Sequence, residues 1–376
     1  MLVLEESTAF YESFNQKIVR PQLNSFPKYE SSLKQNIIEE VGSAVYEFLE
    51  KHVNLSETNS FTTATTNSFN ISKLTNDDHK QIINLNKIND ARYINKFLEL
   101  INSKLSDGGL YVNCVQTYAL RRKTILSKYK KPLSWIYYVA DVLFMRIFPK
   151  LPITKKMYFF ITKGRNRVLH RSEVLGRLYS CGFEILAEQV INNKLYFVAR
   201  KIKTPVFDHH ASYGPLIRLK RVGKNGKLFN VYKLRTMYPY SEYLQQYIHQ
   251  HNSLKEGGKF NNDFRISTEG KIFRKFWLDE LPMLLNFLKG DMKLVGVRPL
   301  SPHYFSLYSS ELQNKRKQHK VGLVPPYYVD MPKNLNEIMT SEMRYFEAYE
   351  KNPVRTNVNY FFKAFYNIFI KRARSS

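Results

Sequence analysis

The sequence predicts an α/β chain of two domains, an N-terminal α/β domain over 1–203 and a mostly helical α+β domain with amphipathic surface helices over 204–376. Its length, 376 residues, exceeds what one small domain needs. Between about 85 and 203 the pattern runs helix, Gly-Gly turn, strand, helix and closing strand pair, which is an α/β order. From Lys203 the texture changes: KTPVFDHHASYGP is polar and turn-rich and reads as a linker, after which glycines and basic residues become dense.

Taken in order, the opening MLVLEESTAFYESF carries acids where a signal peptide needs basic residues before an apolar run, so no cleaved signal is expected. Apolar spacing over 33–52 suits an amphipathic helix, and the Ser/Thr/Asn-rich stretch at 55–72 reads as a solvated loop. A helix is expected over 91–105, a turn and buried strand over 107–115, and a helix over 172–181. Gly182 then leads into two strand-like runs, FEILAEQVI and KLYFVARKI. The aromatic segment at 132–152, interrupted by Asp141 and Arg146 and flanked by Lys128, Lys130, Lys131 and Lys150, fits either a helix in the lipid headgroup region or one buried against its own domain. No run of 18 apolar residues free of charge is present, so membrane contact is expected from the side.

Hydrophobic residues make up 43% of the chain, enough for ordinary cores, and the net charge of +26 attracts polyanions: nucleic acid, an anionic membrane surface or phosphorylated substrates. Zinc-ligand spacing, a recognition-helix pattern and an RNA-binding signature are all missing, so no nucleic-acid partner is expected. Two cysteines, Cys114 and Cys181, make no disulfide framework and point to a reducing compartment. The adjacent His209 and His210 beside Asp208 point apart in regular structure and read as solvated.

The element order over about 85–203 resembles the second half of a class I methyltransferase-like domain. A glycine-rich nucleotide loop is not visible, since Asp107-Gly108-Gly109 falls too late. The resemblance therefore implies a partial Rossmann-like domain.

In FRKFWLDELPMLLNFLKGDM at 273–292, Leu281, Leu284, Leu285 and Leu288 fall on one helical face, with Pro282 suited to the first turn and Gly290 to the end. Asp279 and Glu280 then stand at or just before the N-terminus. Two acids there are often simple caps. Yet Arg218, Lys220 and Arg221, the GKNG turn at 223–226, YKLRTM at 232–237, Asp263, Arg265 and the Gly296-Val297-Arg298-Pro299 turn surround them in sequence. A carboxylate pair among cations suits phosphoryl transfer from a diphosphate.

YGPLIRLKRVGKNGKLFNVYKLRTM, at 213–237, and DFRISTEGKIFRKFWLDELPMLLNFLKGDMKLVGVRPL, at 263–300, resemble in order, spacing and identity the bacterial sugar transferase family, with the likeness extending over about 213–376. These are polyprenyl-phosphate phosphoglycosyl transferases with a single membrane-associated element. The resemblance implies attack by Asp279 on the β-phosphate of a nucleotide-diphosphate sugar, a covalent phosphosugar, and its transfer to polyprenyl (undecaprenyl) phosphate to start a lipid-linked glycan. It implies Glu280 as the Mg²⁺ ligand, with Arg298, Lys233, Arg235 and Arg265 on the substrate phosphates. Localisation follows as peripheral or monotopic, on the cytoplasmic face of the bacterial inner membrane.

Four departures mark this chain. KLYFVARKIKTPVFDHHAS stands where the family has a long apolar re-entrant helix; Met283 replaces a Gln; Val297 replaces the first proline of Pro-Arg-Pro; and KVGLVPPYYVDMP at 320–332 replaces Pro-Gly-Leu-Thr-Gly. They leave open a non-catalytic membrane scaffold as the alternative. At the C-terminus, Asn359, Lys363, Asn367 and Lys371 form a narrow polar seam in an aromatic helix followed by Lys371, Arg372 and Arg374, which fits either a substitute interfacial anchor or a helix packed into the protein core.

Overall fold

A computed structural model of the chain describes residues 26–207, 213–245, 247–248 and 263–371. The opening segment that lacks a signal pattern, the Asp208-His209-His210 cluster and the terminal Arg372 and Arg374 lie outside the described residues.

The chain divides into two compact units. One joins the described residues up to Gln116 with Gly182–Thr204; the other joins Thr117–Cys181 with the described residues from Pro205 onward. Residues 117–181, placed by sequence in the N-terminal domain, thus group with the C-terminal unit.

The first unit is built on five strands: β1 (Ser60–Thr63), β2 (His79–Lys87), β3 (Leu105–Val115), β4 (Phe183–Ile191) and β5 (Lys194–Lys201). Their order is β1-β2-β3-β5-β4. β1, β2 and β3 run parallel, β5 is antiparallel to β3, and β4 pairs with β5 as a hairpin. Parallel neighbours need a crossover, and the Ile94–Lys104 helix between β2 and β3 supplies one. It buries Ile94, Phe97, Leu98 and Ile101, the i, i+3, i+4, i+7 face that its sequence dictates. Cys114 is fully buried in β3, and burial pushes its thiol up to about 11.

Two expectations are corrected here. The helix over 33–52 is two helices, Phe26–Val41 and Ser43–His52, because Gly42 takes a positive φ of 92° that ends the first. The polar stretch at 55–72 is not all loop: it contains β1 and a short helix, Ser68–Ser72, capped by the Asn67 side chain. Threonine and phenylalanine suit a half-buried edge strand, and the pairing to β2 decides the outcome.

The second unit begins with helices Tyr118–Lys128, Leu133–Val142, Pro152–Thr162 and Arg171–Ser180. β6 (Leu216–Val222) and β7 (Leu228–Leu234) form an antiparallel hairpin, and β8 (Lys293–Val295) and β9 (Gly322–Val324) form a short parallel pair. Around them pack Thr268–Lys275, Ser310–Gln318, Leu335–Lys351 and Pro353–Phe369. Val231, Met283, Val295, Val297, Tyr345 and Phe346 centre the core. The whole is mixed α/β, and no described helix is long and apolar enough to cross a membrane.

The expected polar seam of the last helix is only partly polar surface. Tyr360 and Ala364 are buried, Val358, Phe362 and Phe365 are exposed, and Asn367 turns inward to donate to the carbonyls of Tyr328 (2.9 Å) and Val329 (3.2 Å). Two buried acceptors outweigh solvent for that amide.

Candidate active site

The site is assembled from two strand pairs and one turn. Residues paired across an antiparallel ladder project to the same side. The register Arg221↔Phe229, Leu219↔Val231 and Ile217↔Lys233 therefore puts Arg221, Val231 and Lys233 on one face. The GKNG turn makes this register possible: Asn225 and Gly226 both take positive φ, and Gly223 donates to the Lys227 carbonyl at 2.8 Å.

The acid pair follows Trp277, which stands in the left-handed region with φ 54° and breaks the preceding helix. Leu278–Met283 forms a 3-10 turn and Leu284–Leu288 the short α-helix after it, so both acids lie within the first turn rather than ahead of it. Gly290 ends the segment with positive φ, as its position suggests. Leu281, Leu284, Leu285 and Leu288 are all exposed.

Asn286 ties this segment to β7. Fully buried, it accepts from the Tyr232 N–H at 3.0 Å and donates to the Asn230 carbonyl at 2.7 Å. Lys233, next along β7, is thereby held against Glu280, with Nζ 2.6 Å from Oε1.

The Val297-Arg298-Pro299 turn is fixed from two sides. Gly322 donates to the Val297 carbonyl at 2.9 Å, and Gly296 donates to that of Val324 at 3.2 Å. The backbones approach so closely that a Cβ on Gly322 would stand 2.1 Å from the Gly296 nitrogen. Opposite, the buried Arg316 pairs with the buried Glu342 and also donates to the Arg298 carbonyl.

These elements form a cleft of about 50 Å³ lined by Arg221, Lys233, Glu280, Met283, Arg298 and Tyr328, among others. Its charged lining is three cations against one carboxylate. Burial and the neighbouring Arg298 both lower the Arg221 pKa, as expected where two guanidiniums meet before an anion arrives. Tyr328, whose hydroxyl accepts from the Trp277 indole at 3.1 Å, is pushed up to about 12 by burial and by Glu280.

Asp279 does not line the cleft; it is half-buried one residue before Glu280. Burial and the adjacent Glu280 carboxylate raise its pKa above the ordinary aspartate value, while Lys233 and Arg274 oppose them. Of the sequence candidates, then, Glu280, Lys233 and Arg298 come together with Asp279 beside them. Arg235 and Arg265 are not in the lining. Arg235 donates to the Gly214 carbonyl at 3.0 Å, and the buried Arg265 pairs with Asp263 at 2.7 Å and donates to Gln245 at 2.7 Å. Sequence reasoning named Arg221 among the cations around the acid pair without assigning it to the substrate phosphates, and it missed Tyr328 as a lining residue and Asn286 as the tether.

A family model described as Bacterial sugar transferase matches residues 197–371. That part of the chain belongs to the bacterial sugar transferase family. The galactosyl transferase CpsE of Streptococcus agalactiae is 36% identical over 137 residues, 35% of this chain and 30% of the relative. The undecaprenyl-phosphate galactose phosphotransferase of Salmonella typhimurium is 28% identical over 241 residues, 62% and 46% respectively. The UDP-N-acetylgalactosamine-undecaprenyl-phosphate N-acetylgalactosaminephosphotransferase of Aeromonas hydrophila is 36% identical over 143 residues, 37% and 30%. The chain spans less than half the length of these three relatives. The sugar transferase segment contains every residue of the cleft.

Proposed function

We propose that the second unit is a phosphoglycosyl transferase that moves a sugar phosphate from a nucleotide-diphosphate sugar to polyprenyl phosphate at a membrane surface, on the cytoplasmic face. The observation that carries this reading is the cleft itself: Arg221, Lys233 and Arg298 converge around Glu280 with Asp279 adjacent, so a diphosphate meets positive charge beside a carboxylate nucleophile. Relatives whose names include undecaprenyl-phosphate sugar phosphotransferases support the acceptor class.

The reaction has two displacements at one phosphorus. An Asp279 carboxylate oxygen attacks the β-phosphorus, a new carboxyl–phosphorus bond forms, and the bond to the oxygen bridging to the α-phosphate breaks, releasing nucleoside monophosphate. A phosphate oxygen of the acceptor then attacks the same phosphorus and frees the carboxylate. Burial and Glu280 raise the Asp279 pKa, which makes its carboxylate a more basic, stronger nucleophile. Arg221 and Arg298 hold the departing phosphate, and Lys233 holds Glu280 in place.

Among the described residues no group of three or more His, Cys, Asp or Glu side chains gathers. Asp279 and Glu280 are adjacent carboxylates, a set that fits Mg²⁺, which binds through one or two carboxylates plus substrate phosphates. Glu280 would hold it, and the ion supplies charge neutralisation on the diphosphate. For the first unit, we read three parallel strands followed by an antiparallel hairpin as a remnant of a methyltransferase-like sheet.

The test is nucleoside monophosphate release from a panel of sugar nucleotides, with and without polyprenyl phosphate. Acceptor-stimulated release from at least one donor is expected. No release from any donor under either condition contradicts the reading and favours the scaffold.

A further inference from the structure

The segment between the Tyr118–Lys128 and Arg171–Ser180 helices has no counterpart among the residues of the site. It forms two short helices, Leu133–Val142, extended by further turns to Lys150, and Pro152–Thr162. Both carry large apolar side chains in the open: Ile136, Val139, Phe144, Ile153, Phe160 and Ile161 are exposed, Ile153 to 89% and Phe160 to 85%. A solvated helix turns its charges outward and its apolar face inward. Here large apolar side chains face outward, beside the exposed Lys155 and Lys156 of the second helix.

The two charges that interrupt the first helix are turned into the protein. Asp141 is paired with Arg121, Nε to Oδ2 at 2.9 Å, and both are largely buried. Arg146 lies over the Tyr118 ring at 4.2 Å and pairs with Glu269 at 3.1 Å. Between 117 and 165 stand twelve Lys and Arg against one acid, that same Asp141. An apolar face bordered by lysines, with its one acid neutralised internally, complements an anionic lipid surface.

We infer that the helix pair 133–162 is the bilayer-entering element of this protein, and that its occupant is the headgroup and outer acyl region of an anionic membrane. This deepens, and rests on, the membrane-surface part of the proposed function. With its further turns the first helix runs from 133 to 150, about 27 Å, and the second rises about 16 Å, against roughly 30 Å of hydrocarbon, so neither crosses the bilayer and the pair enters it from one side. The Arg146–Glu269 ion pair joins it to the Thr268–Lys275 helix, which leads through exposed Phe276 to the acid pair. The exposed Leu281, Leu284 and Leu288 continue the apolar surface past Glu280. Lipid contact thus reaches the carboxylates through an element upstream of the family segment.

The experiment is co-sedimentation of the full chain with phosphatidylcholine vesicles, with and without phosphatidylglycerol, at low and high salt. Binding is expected to require phosphatidylglycerol and to weaken with salt. The variant Ile136→Glu/Phe160→Glu, at positions whose exposure spares the fold, should bind about tenfold more weakly. Val358→Glu/Phe362→Glu, on the exposed face of the last helix, should bind within threefold of wild type. Wild type that ignores vesicles overturns the membrane reading and the inference with it. Binding by the wild type that survives Ile136→Glu/Phe160→Glu overturns the inference alone. So does a wild-type dimer that this variant converts to monomer, because the face would then be covered by a second copy.

Discussion

Replacing Asn286 by leucine keeps the volume of a fully buried side chain and removes its hydrogen bonds. The Tyr232 N–H and the Asn230 carbonyl, bonded at 3.0 Å and 2.7 Å, lose their partner. Each buried group left unsatisfied costs about 1–3 kcal/mol, partly offset by the apolar burial gained. The net loss is about 2–4 kcal/mol, or roughly 4–16 °C in Tm for a unit of this size. Both tryptophans of the chain, Trp135 and Trp277, lie in the second unit. Fluorescence-detected unfolding therefore reports that unit alone, which matters because a two-unit chain need not unfold in one step. Asn336→Leu, at an exposed position, should shift stability by no more than about 0.5 kcal/mol. The reasoning fails if Asn286→Leu unfolds within about 1 kcal/mol of wild type. It also fails if the variant is destabilised as expected but its residual folded fraction shows unaltered turnover, because the tether is argued to set Lys233 against Glu280.

Three further outcomes follow from the same geometry. Arg221→Met should lower kcat/KM for the sugar nucleotide about 10–100-fold, the worth of a charge-assisted hydrogen bond, while Arg218→Met, on the opposite face of β6, should stay within twofold. Lys233→Met should move the acid limb of single-turnover donor cleavage to higher pH: attack needs the Asp279 carboxylate, Lys233 lowers that group's pKa, and its loss lets burial and Glu280 raise it further. A limb that stays in place or moves to lower pH would count against Asp279 as the attacking group. Gly322→Ala, whose methyl would meet the Gly296 nitrogen at 2.1 Å, should destabilise the second unit by about 2–4 kcal/mol through overpacking and a lost backbone bond. Gly214→Ala, with open space around its Cβ, should be neutral in the same unfolding assay.

What could be read from the sequence was whatever local chemistry dictates. The Ile94–Lys104 helix follows from its apolar spacing, the β4–β5 hairpin from two β-rich runs, and the acid pair from Pro282 and Gly290 around a leucine stripe. What could not be read depends on pairing at a distance. Arg221 looks like a solvated cation within LIRLKRV, and only its register opposite Phe229, on the face that carries Lys233, turns it into the cleft. Tyr328 belongs to a segment that departs from the family pattern, and its place is set by Trp277 and Asn367, which no local signal connects. Asn367 had the spacing of a surface seam, but two carbonyls claim it. The strand β1 hides in Ser/Thr-rich sequence because its partner, β2, makes it a strand.

The central claim is that a half-buried carboxylate beside a cationic cleft captures phosphorus from an activated sugar. Intact-mass measurement of the full chain after incubation with Mg²⁺ and a donor sugar nucleotide, without acceptor, tests it most directly. A mass increase of one sugar phosphate is expected, mapped by peptide analysis to Asp279, discharged by polyprenyl phosphate and absent in folded Asp279→Asn. An adduct on another residue, or acceptor-dependent turnover that persists in Asp279→Asn, would contradict it.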